Sequence, residues 1–145
     1  MFNALTHLNW VAVLVTAAVG FLFGWLWYSP VLFAKRWMAE MKLTPEKMRE
    51  VAAQGMAKFF ATSLVYTVVS TFGLATLLKA HGSVGWWRGA ELGAFVGLVL
   101  VGVRLANAGV WERRSATLLA ITVGHEVVLF ALQGAILAAW TAAVI

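Results

Sequence analysis

The sequence predicts an all-α integral membrane protein, an up-down bundle of four transmembrane helices with a short interfacial amphipathic helix between the first two spans. Three observations carry that prediction. The chain is 62% hydrophobic and only 12% charged, against roughly 25% charged in a soluble domain. Its mean hydropathy of +0.85 leaves more apolar surface than a 145-residue core can hide, so lipid is the fitting solvent. Four segments also reach the run of about 20 apolar residues that a bilayer core demands.

The spans are expected at about residues 5–28, 59–78, 89–110 and 116–143. Backbone groups in hydrocarbon find no water, so each segment must satisfy them internally as a helix. The first apolar run, from Leu8 to Tyr28, exceeds the ~7–15 residues of a signal-peptide core. It lacks a basic leader as well, and is expected to stay as a span. One domain of residues 1–145 follows from this length.

Sidedness follows from the basic residues. Lys35, Arg36, Lys42, Lys47, Arg49 and Lys58 lie in loop 1, and Arg113 and Arg114 in loop 3; Lys79 and Arg88 alone lie in loop 2. Eight against two places loops 1 and 3 in the cytoplasm and both termini outside. Trp10, Trp86, Trp87 and Trp140 then fall at outer span ends, and Trp25, Trp27, Trp37 and Trp111 at inner ends, where indoles form interfacial belts. The charges cluster in loops rather than along a basic helix, which argues against nucleic acid as a partner.

Loop 1, residues 30–57, carries structure of its own. Ser29-Pro30 and Thr44-Pro45-Glu46 both read as helix starts, with a capping hydroxyl before an N1 proline. Val31, Leu32, Phe33, Trp37, Met38 and Met41 make an apolar stripe that suits a helix lying in the membrane surface or one packed beneath the bundle. From Pro45 only Gly55 interrupts the path into the second span, so one continuous helix is an option.

Gly20 and Gly24, and the ladder Gly89, Gly93 and Gly97, repeat at four residues. This spacing lets helix backbones approach closely, within one chain in preference to a homodimer seam. In the second span Ser63, Thr67, Ser70 and Thr71 share a face and can bond to carbonyls.

The candidate functional residues are the ionisable ones at membrane depth, where a charge costs at least ~2.5–3.5 kcal/mol. Arg104 lies on the third span, and His125 and Glu126 on the fourth. The two spans should be antiparallel neighbours, and an Arg104–Glu126 ion pair is the expected arrangement, with Asn107 one turn from Arg104 joining it. Ser115, Thr122, Glu126 and Gln133 form a stripe toward the bundle interior; His125 points about 100° away, toward the first span. His7, Asn9 and Glu91 add polar groups at the opposite mouth. This network reads as a ligand site or polar pathway, or as a structural clip that fixes register. No metal or other cofactor is expected: cysteine is absent, and no His-x-x-x-His or Glu-x-x-His spacing exists. Gly124-His125-Glu126 lacks the second histidine of a zincin.

The stretch Gly24-Trp25-Leu26-Trp27-Tyr28-Ser29-Pro30, followed by Phe33 and Trp37, resembles the signature of the bacterial membrane family known as domain of unknown function 1761. Asn107, Glu112-Arg113, His125 and Gly134-Ala135-Ile136-Leu137 are similar to further elements of that family, and the resemblance covers essentially the whole chain. It implies four spans and a bacterial inner membrane, and no established activity. Physically, Trp25, Trp27, Tyr28, Ser29, Pro30 and Trp37 make an interfacial corner: aromatics anchor the helix end and proline stops it. The reading is a small non-enzymatic membrane protein, transporter-like or ligand-binding, or alternatively a structural or accessory subunit. Its partners are the lipid bilayer and either its own copies or a larger membrane complex.

Overall fold

The computed structural model describes residues 8–142, with side chains to residue 140. Helix α1 spans Trp10–Trp27, α2 Ala34–Glu40, α3 Pro45–Ala53 and α4 Met56–His81. The third span is composite: α5, Trp86–Phe95, passes into a π-helical segment, Val96–Gly102, and then α6, Val103–Trp111. Helix α7 runs Ala116–Ala142. Four helical stretches, Trp10–Trp27, Met56–His81, Trp86–Trp111 and Ala116–Trp140, are long and apolar enough to cross a membrane. About a third or less of each is buried within the protein, leaving Leu14, Leu22, Val65, Val69, Leu100 and Val110 exposed, as lipid-facing positions should be. The start of the first span before Leu8, His7, and the end of the fourth lie outside the described residues.

Local chemistry sets the boundaries. Asn9 caps α1, its side-chain oxygen accepting from the Ala12 amide at 3.0 Å. Thr44 caps α3, accepting from Lys47 N at 3.3 Å, with Pro45 in the first turn. The Glu46 carboxyl accepts from its own backbone amide and from the Thr44 side chain, and these bonds hold it below the usual carboxylate range. The other expected cap does not form. Ser29 offers its carbonyl, not its hydroxyl, to Leu32 N and Ala34 N; Pro30 sits in a turn, and the helix starts only at Ala34. Gly55, at φ 92°, breaks the path from α3 into α4, a conformation that glycine adopts without steric cost. The continuous-helix option is thereby excluded.

Helix α2 packs under the bundle. Phe33 meets Trp27 at 4.6 Å between ring centroids and Trp37 meets Tyr28 at 5.6 Å; Glu40 accepts a hydrogen bond from Ser115 across loop 3. Val31, Leu32 and Met41 remain exposed, so the predicted stripe divides between the bundle and the surroundings.

Helix α7 is the hub, touching α1, α4 and the third span. Along the third span the glycines form its seam: a methyl at Gly89 or Gly93 would strike the carbonyl of Gly134 or Phe130, and one at Gly97 would lie 2.8 Å from the Glu126 carbonyl. The core of Val13, Leu74, Leu78, Val96, Phe130 and Leu137 occupies the half of the bundle toward loop 2, where Trp10 stacks on Phe72 at 5.5 Å. Toward loop 1 the first turns of α4, Met56–Tyr66, are exposed on every side, and a cavity opens between α4 and α1.

Candidate functional site: a cavity closed by His125

The cavity holds about 440 Å³. From α1 and its turn it is lined by Gly20, Phe21, Gly24, Trp25, Tyr28, Ser29 and Pro30; from α4 by Met56, Phe60, Ser63 and Thr67; and from α7 by His125 and Leu129. The missing side chains of Gly20 and Gly24 hollow out α1, so these glycines serve a void as well as a packing contact. A methyl at Gly24 would rest 3.4 Å from His125 Nε2.

His125 is 9% exposed and held on two sides. Its ring stacks on Phe23 (5.7 Å, 18°), lies 5.2 Å from the Tyr28 ring and meets Trp27 edge-on at 5.9 Å. Trp27 is itself fixed by donating from Nε1 to the Ile121 carbonyl at 3.2 Å. His125 Nδ1 lies 2.9 Å from Glu126 Oε1, and the Tyr28 hydroxyl faces Thr122 and Glu126. A carboxylate on Nδ1 fixes a histidine's orientation and leaves the far nitrogen for other work. That nitrogen, Nε2, is buried and has no hydrogen-bond partner, and Ser29 Oγ on the same cavity wall has none. Buried polar atoms are almost always paired; of the four open ones, Thr16 Oγ1 and Gln133 Oε1 being the others, two belong to residues that line the cavity, where a small turn of either side chain offers a guest a hydrogen bond.

A second polar group lies deeper. Gln133 is fully buried; its Nε2 donates to Thr71 Oγ1 at 2.8 Å, and Thr71 donates to the Thr67 carbonyl at 2.7 Å. This knot ties α7 to α4, and α1 reaches it through Gly20, where a methyl would lie 2.6 Å from Gln133 Nε2.

The expected Arg104–Glu126 ion pair is absent: Glu126 pairs with His125, and Arg104 and Asn107 are exposed on the far side of α6. The π segment is the cause. In an unbroken α-helix, Arg104, about two turns after Gly97, would share its face. The π segment takes up one extra residue, so the seam continues instead through Gly102, which meets Val123, and Gly109, which meets Leu119. Arg104 is thereby turned away from α7. Thr122 bonds back to the Leu118 carbonyl at 2.9 Å. Asn9 is used as a cap, and Glu91 is exposed.

Of the residues singled out in the sequence, His125, Trp25, Tyr28, Ser29, Pro30, Gly20 and Gly24 line one cavity, whereas Glu126 stands behind His125 and Gln133 belongs to the separate knot with Thr71. Sequence reasoning missed Phe23, a turn before Trp27, and Gly102, whose five-residue step from Gly97 after two four-residue steps was the signal of a π turn. Among the described residues no group of three or more histidines or carboxylates could hold a metal.

An all-α chain with three membrane-length helical stretches packed on a fourth, α7, has the form of a multi-pass membrane protein of the small bundle class. Within that class, this chain belongs to the family described as protein of unknown function (DUF1761), which it matches over residues 11–138. No curated protein and no solved structure matches it.

Proposed function

We propose that the protein is a ligand-binding, transporter-like bundle of the bacterial inner membrane, with loops 1 and 3 cytoplasmic, and that it takes a small amphiphilic molecule from the lipid phase into the cavity beside His125. The observation that carries this reading is the buried, unpartnered Nε2 of His125, a residue that lines a void of about 440 Å³; a small turn of its ring presents that nitrogen to a guest. That volume falls in the range of small-molecule sites, which are mostly apolar with a few placed polar groups. Aromatic and aliphatic walls suit a hydrocarbon body; His125 Nε2 and Ser29 Oγ suit a hydroxyl or carbonyl at its head. The opening between α1 and α4 faces where lipid would stand, so such a guest need not cross water.

The test is mass spectrometry of organic extracts from detergent-purified protein. The wild type should retain a small molecule beyond bulk lipid and detergent. His125→Leu, and Gly24→Phe, which fills the chamber, should lose it while the melting temperature changes little. Identical extracts from all three, with His125→Leu melting several degrees lower, would favour the alternative of a structural or accessory subunit. The all-round exposure of Met56–Tyr66 is the observation on that side.

A further inference from the structure

We infer that Arg104, Asn107 and Trp111 form a surface site for the headgroup of an anionic phospholipid, independent of the cavity. These three residues stand at one-turn intervals on a single stripe of α6, and all are exposed, Trp111 at 82%. Their surroundings are apolar and equally bare: Leu100 is 55%, Val103 56% and Val110 68% exposed. Arg104 thus stands on a hydrocarbon-facing surface about 10 Å in from Trp111, and it forms no ion pair with any described residue. A cation there requires an anion or a route to the interface.

Among the described residues no carboxylate pairs with it. On the same span Glu91 is about 20 Å away along the axis, and Glu112 is engaged by Arg114. A second copy docked on this face fares no better. In a two-fold dimer whose axis follows the membrane normal, each residue faces partner residues of its own depth and meets its own image at the axis, so the two Arg104 side chains share one depth and no carboxylate is brought to it. A lipid phosphate is the anion that the surroundings supply. The stripe leads to it: the guanidinium extends along α6 past the Asn107 amide, a second donor, toward the indole of Trp111 at the boundary. Headgroups of net negative charge are favoured because this end of the molecule also carries exposed Arg113, Arg114, Lys35 and Arg36, and each nearby cation adds attraction to an anionic leaflet. Loops 1 and 3 are joined there by the Ser115–Glu40 hydrogen bond.

The experiment titrates the detergent-solubilised protein with phosphatidylglycerol or with phosphatidylcholine, counting bound lipids by native mass spectrometry and following the melting temperature. The wild type should bind phosphatidylglycerol more tightly and be stabilised by it. Arg104→Gln should weaken that binding about five- to tenfold and leave phosphatidylcholine binding as it was. Arg104→Lys, which keeps the charge without the fork, should fall between. Circular dichroism without added lipid should be the same for all three, since Arg104 is exposed and makes no ion pair among the described residues. Equal binding of the two lipids by the wild type, or undiminished phosphatidylglycerol binding by Arg104→Gln, overturns the site; so does a dimer that Arg104→Gln dissolves.

Discussion

At the residue scale, one buried hydrogen bond between side chains ties two helices together where no water reaches. Gln133 is fully buried, and its amide rests on Thr71 alone among the described hydrogen bonds. Thr71→Val keeps the shape and removes the acceptor, leaving a buried N–H group open. Interhelical hydrogen bonds in membranes average about 0.6 and reach about 1.7 kcal/mol, so a loss of about 1 kcal/mol is expected in denaturant unfolding in detergent. Thr62→Val removes only an exposed hydroxyl bonded to the Lys58 carbonyl within its own helix and should leave stability unchanged. Equal effects would mean that the Gln133–Thr71 contact does not hold α7 to α4. The polar residues of the interior were legible because His125, Glu126 and Gln133 are conspicuous in an apolar run. The role of Ser29 was not: a serine before proline reads locally as a cap, and only the turn that hands Ser29's carbonyl to Leu32 and Ala34 frees its hydroxyl for the cavity.

At the element scale, helix spacing is set by what glycine omits. The third span lies backbone to backbone on α7, and a methyl at Gly93 would meet the Phe130 carbonyl, which cannot rotate aside. Gly93→Ala must therefore separate the helices, at a cost of about 1–3 kcal/mol. Gly73 is the contrast. It lies inside α4 with nothing within 4 Å of a would-be methyl, so Gly73→Ala should gain up to about 1 kcal/mol from helix propensity. Thermal unfolding of the two variants in one detergent checks both signs; a Gly93→Ala protein as stable as the wild type would refute the tight seam. Span existence was legible here because apolar length alone decides it. The face of each span was legible only as far as helical period stayed at 3.6 residues. Gly89, Gly93 and Gly97 were placed on one seam, whereas Arg104, beyond the π segment, was placed on the wrong side. The extra residue there preserves glycine contact at Gly102 and Gly109, and an outward Arg104 is its consequence. The splaying of α4 that creates the cavity depends on Gly55 and on how α4 meets its neighbours, which no local pattern encodes.

At the scale of the whole molecule, packing and charge divide the bundle into two unlike ends. Toward loop 2 the helices converge on the apolar core, and Gly85 N bonds to the Ala138 carbonyl at 3.2 Å, tying loop 2 to the end of α7. Toward loops 1 and 3 α4 parts from the others, α2 lies across the base, and the Ser115–Glu40 bond draws the two loops together. The eight loop cations lie at this open end and two at the closed one. Because short basic loops resist translocation, the open end should be cytoplasmic, and a guest would enter the cavity from the inner half of the bilayer. The chain has no cysteine, so single cysteines can report this on an otherwise unaltered background. Lys47→Cys in exposed α3 should resist a membrane-impermeant maleimide in intact cells and react once the membrane is opened. Val84→Cys, in exposed loop 2, should react without opening. The reverse pattern would invert the protein, leave the cavity and seam as they are, and move both the entrance of the chamber and the Arg104 stripe to the outer leaflet.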